Sequence, residues 1–574
     1  MEHDISIRIA GEAGQGIQTI GLILSKTFQK SGLHVFSTQY YLSRVRGGNN
    51  YFQIRVSDKP VRAMSDRLDM LIALDRTSVE KYMEELHDGV VLLDGEEGSI
   101  SSYDKQLFDV SFQKIAKEIG GSKLYASTVA TGAALGLLCG DLEILEDVLK
   151  HTFAKKGEEV IRNNINAAIA GYQYAQENYA GKCKYSFEKV SKIPQRMLID
   201  GNDAAGLGAL AAGVQFLASY PMTPSTGVMN FVAAHADRFN VIVEQAEDEI
   251  SALNMVLGAS FAGARAMTTT SGGGFSLMAE ALGLAGMTET PAVIFLGQRP
   301  GPATGLPTMT EQGDLLFALH ASQGEFPRCI LAPKTPDDAF YLTVKAFDLA
   351  DKYQIPVFIM SDQYLADTQF TCERFDTSKI TTDRHLVSDG ELESMDAYKR
   401  YSITPDGISP RALPGQSKHL VVADSDEHNE EGHIDQTADN RILMMEKRMR
   451  KLKGLTMEME SPEVYGPREA DVTLIGWGSS YGPIEEAVDL LNEEGQSLNL
   501  VHFTHIFPMN REKVRNILLN KGTTVCVESN ATGQFAKILK TEADISVDVN
   551  LLRYDGMPFT PGYIIRALQE KKVI

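Results

Sequence analysis

Ser6-Ile-Arg-Ile-Ala10, followed by Gly11-Glu-Ala-Gly-Gln-Gly-Ile17, is the stretch on which the reading of the fold turns. Apolar and polar residues alternate through 6–10 with the period of a strand. The glycines then release the chain into an amphipathic segment that runs through Ser31 and stops at Gly32. A strand that turns through glycines into a helix opens a βα unit. Short apolar runs at 33–37, 70–74 and 90–93, each followed by helical or turn sequence, repeat it. Strands alternating with helices predict a doubly wound, mostly parallel sheet.

The alternation returns twice. Helical 202–217 leads to Ser219-Tyr-Pro-Met-Thr-Pro-Ser-Thr226, and strand-like 241–244 leads to helical 247–262. Strand-like 266–269 meets the glycine turn Ser271-Gly-Gly-Gly-Phe275, and 292–296 is an apolar, strand-like run. Further on, 472–475, 498–502 and 523–527 read as strands with helices between. The fold class expected is α/β, with three doubly wound, mostly parallel domains. These are residues 1–182, then a linker at 183–196, then 197–370, a long connector at 371–466, and 467–574. The connector carries the acidic run Ala423-Asp-Ser-Asp-Glu-His-Asn-Glu-Glu-Gly-His433. At such a length it is expected to be an ordered excursion over a surface rather than a loop.

Composition narrows the function. The chain has 574 residues, 43% hydrophobic and 23% charged, which is the make-up of a folded globular protein. Its 55 Lys and Arg stand against 76 Asp and Glu, a net charge of −21, which disfavours general binding of nucleic acid. An anionic ligand must be met by local Arg, Lys or backbone amides. The five cysteines, Cys139, Cys183, Cys329, Cys372 and Cys526, are spread singly with no CxxC pair. A zinc ribbon or iron–sulfur cluster held by this chain alone is therefore not expected, and unpaired thiols suit a reducing cytoplasm. No basic leader with a cleavable apolar run is present. The apolar stretches at 207–217 and 279–296 are broken by Gln215, Glu280 and Glu289, so neither reads as a membrane span. The expectation is a cytoplasmic protein that binds neither membrane nor nucleic acid.

Several short patterns point to chemistry. Gly11-x-x-Gly14-x-Gly16, between a strand and a helix, places backbone amides and a positive helix end where an anion can sit, although a plain tight turn has the same spacing. Ser43-Arg-Val-Arg46-Gly-Gly48 can return Arg44 and Arg46 to that sheet edge. Two prolines in Tyr220-Pro221-Met-Thr223-Pro-Ser-Thr226 present Thr223 on a stiff turn, which an ordinary strand-to-helix loop would also do. In Glu244-Gln-Ala-Glu247-Asp-Glu249, acids in a first helical turn serve the helix dipole. Glu249 differs because an apolar helix follows it, so its carboxyl can be desolvated, its pKa raised, and a proton exchanged with a heterocyclic nitrogen. Arg299, in the loop Gln298-Arg-Pro-Gly-Pro-Ala-Thr-Gly-Leu-Pro-Thr308, stands at a strand's C-terminal end, where it can grip a carboxylate or pair with a surface acid. His428 and His433 lie among Asp424, Asp426, Glu427, Glu430 and Glu431, which reads as a solvated face, and no metal site is assigned. A GDG…N diphosphate motif, a Walker A loop and a Ser/His/Asp arrangement are all missing from the sequence.

Taken in order, these patterns resemble a known family. Tyr220-Pro-Met-Thr-Pro-Ser-Thr226, Glu247-Asp-Glu-Ile250, Thr270-Ser-Gly-Gly-Gly-Phe275, Gly301-Pro-Ala-Thr-Gly-Leu-Pro-Thr308 and Thr310-Glu-Gln-Gly-Asp314 resemble the α subunit of 2-oxoacid:ferredoxin oxidoreductases. The first domain resembles that family's γ domain, fused ahead of α, and the last its transketolase-C-terminal-like domain. Met222 stands where the family's Tyr-Pro-Ile-Thr-Pro pattern has Ile. The fusion, Gly-Leu-Pro-Thr and Glu-His-Asn-Glu-Glu-Gly-His are most similar to the 2-oxoglutarate branch.

The resemblance implies an oxidative decarboxylation of a 2-oxoacid, with coenzyme A, to acyl-CoA, CO2 and reduced ferredoxin, or the reverse as CO2 fixation. A partner β subunit would carry the diphosphate and Mg2+ site of thiamin diphosphate and a [4Fe-4S] cluster, in an (αβ)2 assembly that passes electrons to ferredoxin. This chain would supply the pyrimidine side of the cofactor, with Tyr220 and Pro221 in the cofactor-binding loop. Glu249 would protonate the aminopyrimidine, with Glu247 as the alternative acid, and Thr223 and Arg299 would hold the substrate's carboxylate and keto oxygen. The turn at Gly14 and Gly16, with Arg44 and Arg46, matches the region implicated in coenzyme A binding. Pyruvate or a branched-chain 2-oxoacid remains open as substrate. A non-redox thiamin enzyme of transketolase or decarboxylase type, or a chain that has kept the fold and lost the chemistry, are the competing readings.

Overall fold

The structure, a computed structural model, describes residues 4–41, 48–94, 106–187, 195–519 and 521–574. The chain divides into two compact units. One comprises Met1–Ile199 with Asp367–Arg374 and Thr560–Tyr563, and the other Asp200–Ala366, Phe375–Phe559 and Ile564–Ile574. The described residues form three mostly parallel sheets, so the fold class expected from the sequence is the one observed.

The first unit holds a sheet in the order Gln106–Asp109, Leu86–Leu93, Leu68–Ala73, Asp4–Glu12, Asn49–Ser57, His34–Tyr40, Gln369–Cys372 and Met197–Asp200. From Gln106–Asp109 to Asp4–Glu12 the neighbours are parallel. Asn49–Ser57 then pairs antiparallel with both Asp4–Glu12 and His34–Tyr40. The sequence patterns did not single this strand out, because its face opposite Phe52, Ile54 and Val56 is polar yet buried. Gln53 accepts from the Arg8 guanidinium at 2.9 and 3.2 Å, and Arg55 donates to the Asp4 carboxylate. Ile7, Ile9, Ile54, Met70 and Ile72 form one wall of a core closed by Ile20, Leu24 and Phe28 of the helix Ile17–Lys30.

The second unit contains the other two sheets. The larger runs His505–Phe507, Cys329–Leu331, Pro356–Asp362, Ala292–Gln298, Ala266–Thr270, Phe216–Ser219 and Ile242–Gln245. Every pairing is parallel except that of His505–Phe507 with Cys329–Leu331. Ala292–Gln298 and Pro356–Asp362 are buried at every residue, as befits strands covered on both faces. The smaller sheet runs Glu463–Tyr465, Leu498–Phe503, Val472–Trp477, Thr523–Glu528 and Val549–Leu552. One hydrophobic core, including Leu296, Phe358, Trp477, Phe503 and Phe535, continues across both sheets.

Local differences from the sequence reading have local causes. The helix expected over 202–217 ends at Ala211, because Gly213 adopts a left-handed φ of 78° and frees Phe216–Ser219 to enter the sheet. The run of Ala, Leu and Gly is unbroken through Ala211, and its first polar residue, Gln215, comes only just before the strand. The helix expected from 247 begins at Glu249, with Asp248 extended before it and its side chain accepting from Ser251 N at 2.8 Å. Residues 371–466 contain the helix Ala438–Glu458 and ordered turns. Their acidic run is anchored rather than merely solvated. Glu427 pairs with Arg448 at 2.8 Å, and His428 is fully buried against Tyr401, ring centroids 4.1 Å apart. Among the described residues no helix is long and apolar enough to cross a membrane.

Candidate active site

Open parallel sheets bind ligands beyond the C-terminal ends of their strands, where helix starts and loops converge. Four adjacent strands of the larger sheet deliver the candidate residues to that edge. Phe216–Ser219 leads into Tyr220, Pro221 and Thr223, and Ile242–Gln245 into Glu247 and Glu249. Ala266–Thr270 leads into the glycine turn, and Ala292–Gln298 into Arg299. Tyr220 is 40% exposed. Arg299 Nη1 donates to the Thr223 carbonyl at 2.7 Å, so these two loops are joined directly.

The two acids at the start of Glu249–Phe261 lie in opposite environments. Glu247 is exposed and accepts from the Ser251 hydroxyl, which holds its carboxyl below the usual range. Glu249 is only 3% exposed, and its Oε1 has no hydrogen-bond partner among the described residues. Burial raises its pKa and the Asp248 charge adds to this, against the opposing bond from its own backbone amide. A carboxyl in that state binds a proton more readily than a solvated one and can give it up to a base beside it.

Two further acids, Glu311 and Asp314 of the Thr-Glu-Gln-Gly-Asp motif, belong to the same edge. Burial raises Asp314 from 3.8 to about 6, with Arg299 opposing, and raises Glu311 from 4.5 to about 7, with the Asp314 charge adding. Arg299 itself is lowered by burial and supported by Asp314, and a guanidinium remains cationic under such pressure. Asp314 N donates to Gln298 Oε1 at 3.1 Å. Between the two acids, Gln312 ties the loop to the smaller sheet. Its Nε2 donates to the Trp477 carbonyl at 2.9 Å and its Oε1 accepts from Ser529 N at 3.1 Å. The arrangement combines the Arg299 cation, for an anionic group, with desolvated carboxyls whose raised pKa values suit them to carry protons.

Gly14 and Gly16 lie in the other compact unit, both in the left-handed region, with φ of 99° and 89°. Gly16 precedes the helix Ile17–Lys30, whose first turn has no side-chain cap and no acid. That helix end therefore has neither a capping side chain nor an acid to compete with an anion. Arg44 and Arg46 lie outside the described residues.

Comparison with known proteins gives the geometry its context. Residues 207–447 match the family model of the pyruvate flavodoxin/ferredoxin oxidoreductase thiamine-diphosphate-binding domain. Residues 6–174 match that of pyruvate ferredoxin/flavodoxin oxidoreductase, and 465–554 that of the transketolase C-terminal domain. The 2-oxoacid:ferredoxin oxidoreductase subunit alpha of Sulfolobus sp is 31% identical, over 98% of this chain and 96% of the relative. The 2-oxoglutarate oxidoreductase subunit KorA of Mycobacterium tuberculosis is 30% identical, over 99% and 91%. A solved 2-oxoglutarate:ferredoxin oxidoreductase from Magnetococcus marinus, with 2-oxoglutarate, coenzyme A and succinyl-CoA bound, superposes with a TM-score of 0.92 at 32% identity, covering all of both chains.

Proposed function

The chain belongs to the 2-oxoacid:ferredoxin oxidoreductases, and from that premise we propose that it is the α-type subunit, with a γ-type domain fused at its N-terminus, of an enzyme acting on 2-oxoglutarate. The reaction is oxidative decarboxylation with coenzyme A to succinyl-CoA, CO2 and reduced ferredoxin, or its reverse. A β subunit carries the Mg2+ and diphosphate site and a [4Fe-4S] cluster, in an (αβ)2 assembly. The observation that carries the reading is the buried Glu249 carboxyl with an unpartnered oxygen, at the same sheet edge that carries the joined Thr223 and Arg299.

The donor set fits the pyrimidine side of thiamin diphosphate. A desolvated carboxyl oxygen without a partner is what a ring nitrogen exchanging a proton requires. Bound there, the cofactor supplies the carbon nucleophile and electron sink that a 2-oxoacid needs to lose CO2. Glu249 holds and returns the proton at its carboxyl, and Tyr220 and Pro221 line the loop that meets the cofactor. Arg299, oriented by the Thr223 carbonyl, grips the substrate's carboxylate, and Thr223 its keto oxygen. Backbone amides of the Gly14/Gly16 turn, with Arg44 and Arg46, meet coenzyme A.

The test is 2-oxoacid-dependent reduction of a viologen dye by the chain co-expressed with its partner, with and without coenzyme A. Reduction with 2-oxoglutarate and not pyruvate is expected. Preference for pyruvate overturns the substrate assignment. No reduction with any 2-oxoacid, from a complex loaded with thiamin and its cluster, overturns the function.

A further inference from the structure

The helix Gly272–Met287 begins with Gly272, Gly273 and Gly274, although glycine is the poorest helix former after proline. Two of the three are accounted for by what lies against them. A Cβ on Gly274 would fall 2.4 Å from Glu249 Oε1 and 2.3 Å from Thr270 Oγ1. One on Gly272 would fall 2.3 and 2.5 Å from the Asp314 carboxylate oxygens. One on Gly273 would meet nothing nearer than the Ala303 carbonyl at 3.8 Å. Each outer glycine therefore has a carboxyl in the place of its side chain, and each carboxyl has an oxygen, Glu249 Oε1 or Asp314 Oδ2, without a hydrogen-bond partner among the described residues. Such oxygens cost folding free energy, so packing alone does not explain why the space is kept for them.

We propose that Gly272 and Gly274 are positioning residues that seat the two carboxyls of the site by leaving out their own side chains, Glu249 toward the cofactor's pyrimidine and Asp314 beside Arg299 at the substrate's carboxylate. This rests on the function proposed above and adds Asp314 as the counter-charge that steadies Arg299 for the substrate's carboxylate. At Gly272 an added methyl would meet only the Asp314 carboxyl, which can swing aside, whereas at Gly274 it would meet the buried Thr270 hydroxyl as well as the Glu249 carboxyl. Alanine at Gly272 therefore improves helix propensity and displaces one carboxyl, and alanine at Gly274 displaces the Glu249 carboxyl at some cost in packing against Thr270.

The test places alanine at each glycine in the full chain, co-expressed with its partner. It reads melting temperature, calorimetric affinity for thiamin diphosphate with Mg2+, and rates against 2-oxoglutarate. Gly272→Ala and Gly273→Ala are expected to melt at or above the unsubstituted protein. Gly274→Ala weakens thiamin diphosphate binding about tenfold or more, the loss of one hydrogen bond to a charged group. Gly272→Ala leaves that affinity alone and raises KM for the 2-oxoacid about tenfold with kcat little changed, by the same measure. Gly273→Ala changes neither. Should Gly274→Ala melt lower, the Glu249→Gln background decides, because there the glycine substitution costs cofactor affinity nothing more if it acts through Glu249. Unaltered affinity in Gly274→Ala, equal losses in all three variants, or additive losses in the double variant overturn the proposal. Full turnover and cofactor affinity in Glu249→Gln overturn both it and the reading of the site beneath it.

Discussion

Glu249 and Asp314 are retained against the stability of the fold. The folded state raises the pKa of each, so it binds protons more tightly than the unfolded chain, and stability falls as pH rises through the window between the two values. For Asp314 that window runs from 3.8 to about 6. Asp314→Asn should accordingly melt higher than the unsubstituted protein at pH 8, by on the order of 1 kcal/mol, and equal it near pH 3.5, which thermal denaturation across pH will measure. Glu249→Gln should lose about 10²–10⁴-fold in kcat, the usual contribution of a proton-transfer group, with assembly intact and melting no lower than the unsubstituted protein, as steady-state rates and thermal denaturation of the purified complex will check. Glu249 was legible in the sequence because an apolar helix follows it. Asp314 was not, because its environment comes from Arg299 and Gly272, neither of them near it in the chain.

The helix Ala438–Glu458 reverses the usual pattern of an amphipathic element. Its buried residues, Met444, Lys447, Arg448, Lys451 and Leu455, follow helical spacing, but most of them are cations. Lys447 and Lys451 meet Glu289 at 2.6 and 2.5 Å, and Arg400 donates to the Glu289 carbonyl at 2.8 Å. Glu289 follows the helix whose N-terminal glycines adjoin the site, so this contact fixes that helix from its far end. Burial alone would raise the Glu289 pKa, but Lys451, Lys447 and Arg400 together hold it far below the usual carboxylate range. Its stabilisation is therefore complete above pH 4.5 and is lost as pH falls below it. Glu289→Gln leaves buried cations unpaired and should cost about 3–5 kcal/mol at pH 7 by urea denaturation. The cost should shrink by pH 9, since burial already brings Lys447 down to about 8. Sequence reading finds a buried face by its apolar period, so it left this region as a connector.

Two of the three sheets among the described residues take a strand from a distant part of the chain. Gln369–Cys372 pairs with His34–Tyr40 in the first sheet, with Phe370 on Phe36 at 4.7 Å and the Thr371 hydroxyl bonded to Val35 N at 2.8 Å. A fragment ending at residue 199 lacks that strand and exposes an unpaired sheet edge. It should be less soluble than the full chain and melt lower, as light scattering and calorimetry on both will show. By itself the sequence determined the α/β class, the βα units, the family and the loops that carry Thr223, Glu249 and Arg299, because each of these is written in a local period or an ordered local motif. The tertiary structure alone decided which strands share a sheet, that Glu249 is buried while Glu247 is not, and that carboxyls fill the space left by Gly272 and Gly274. Pairing, burial and close approach depend on residues far apart in the chain, which no local pattern records.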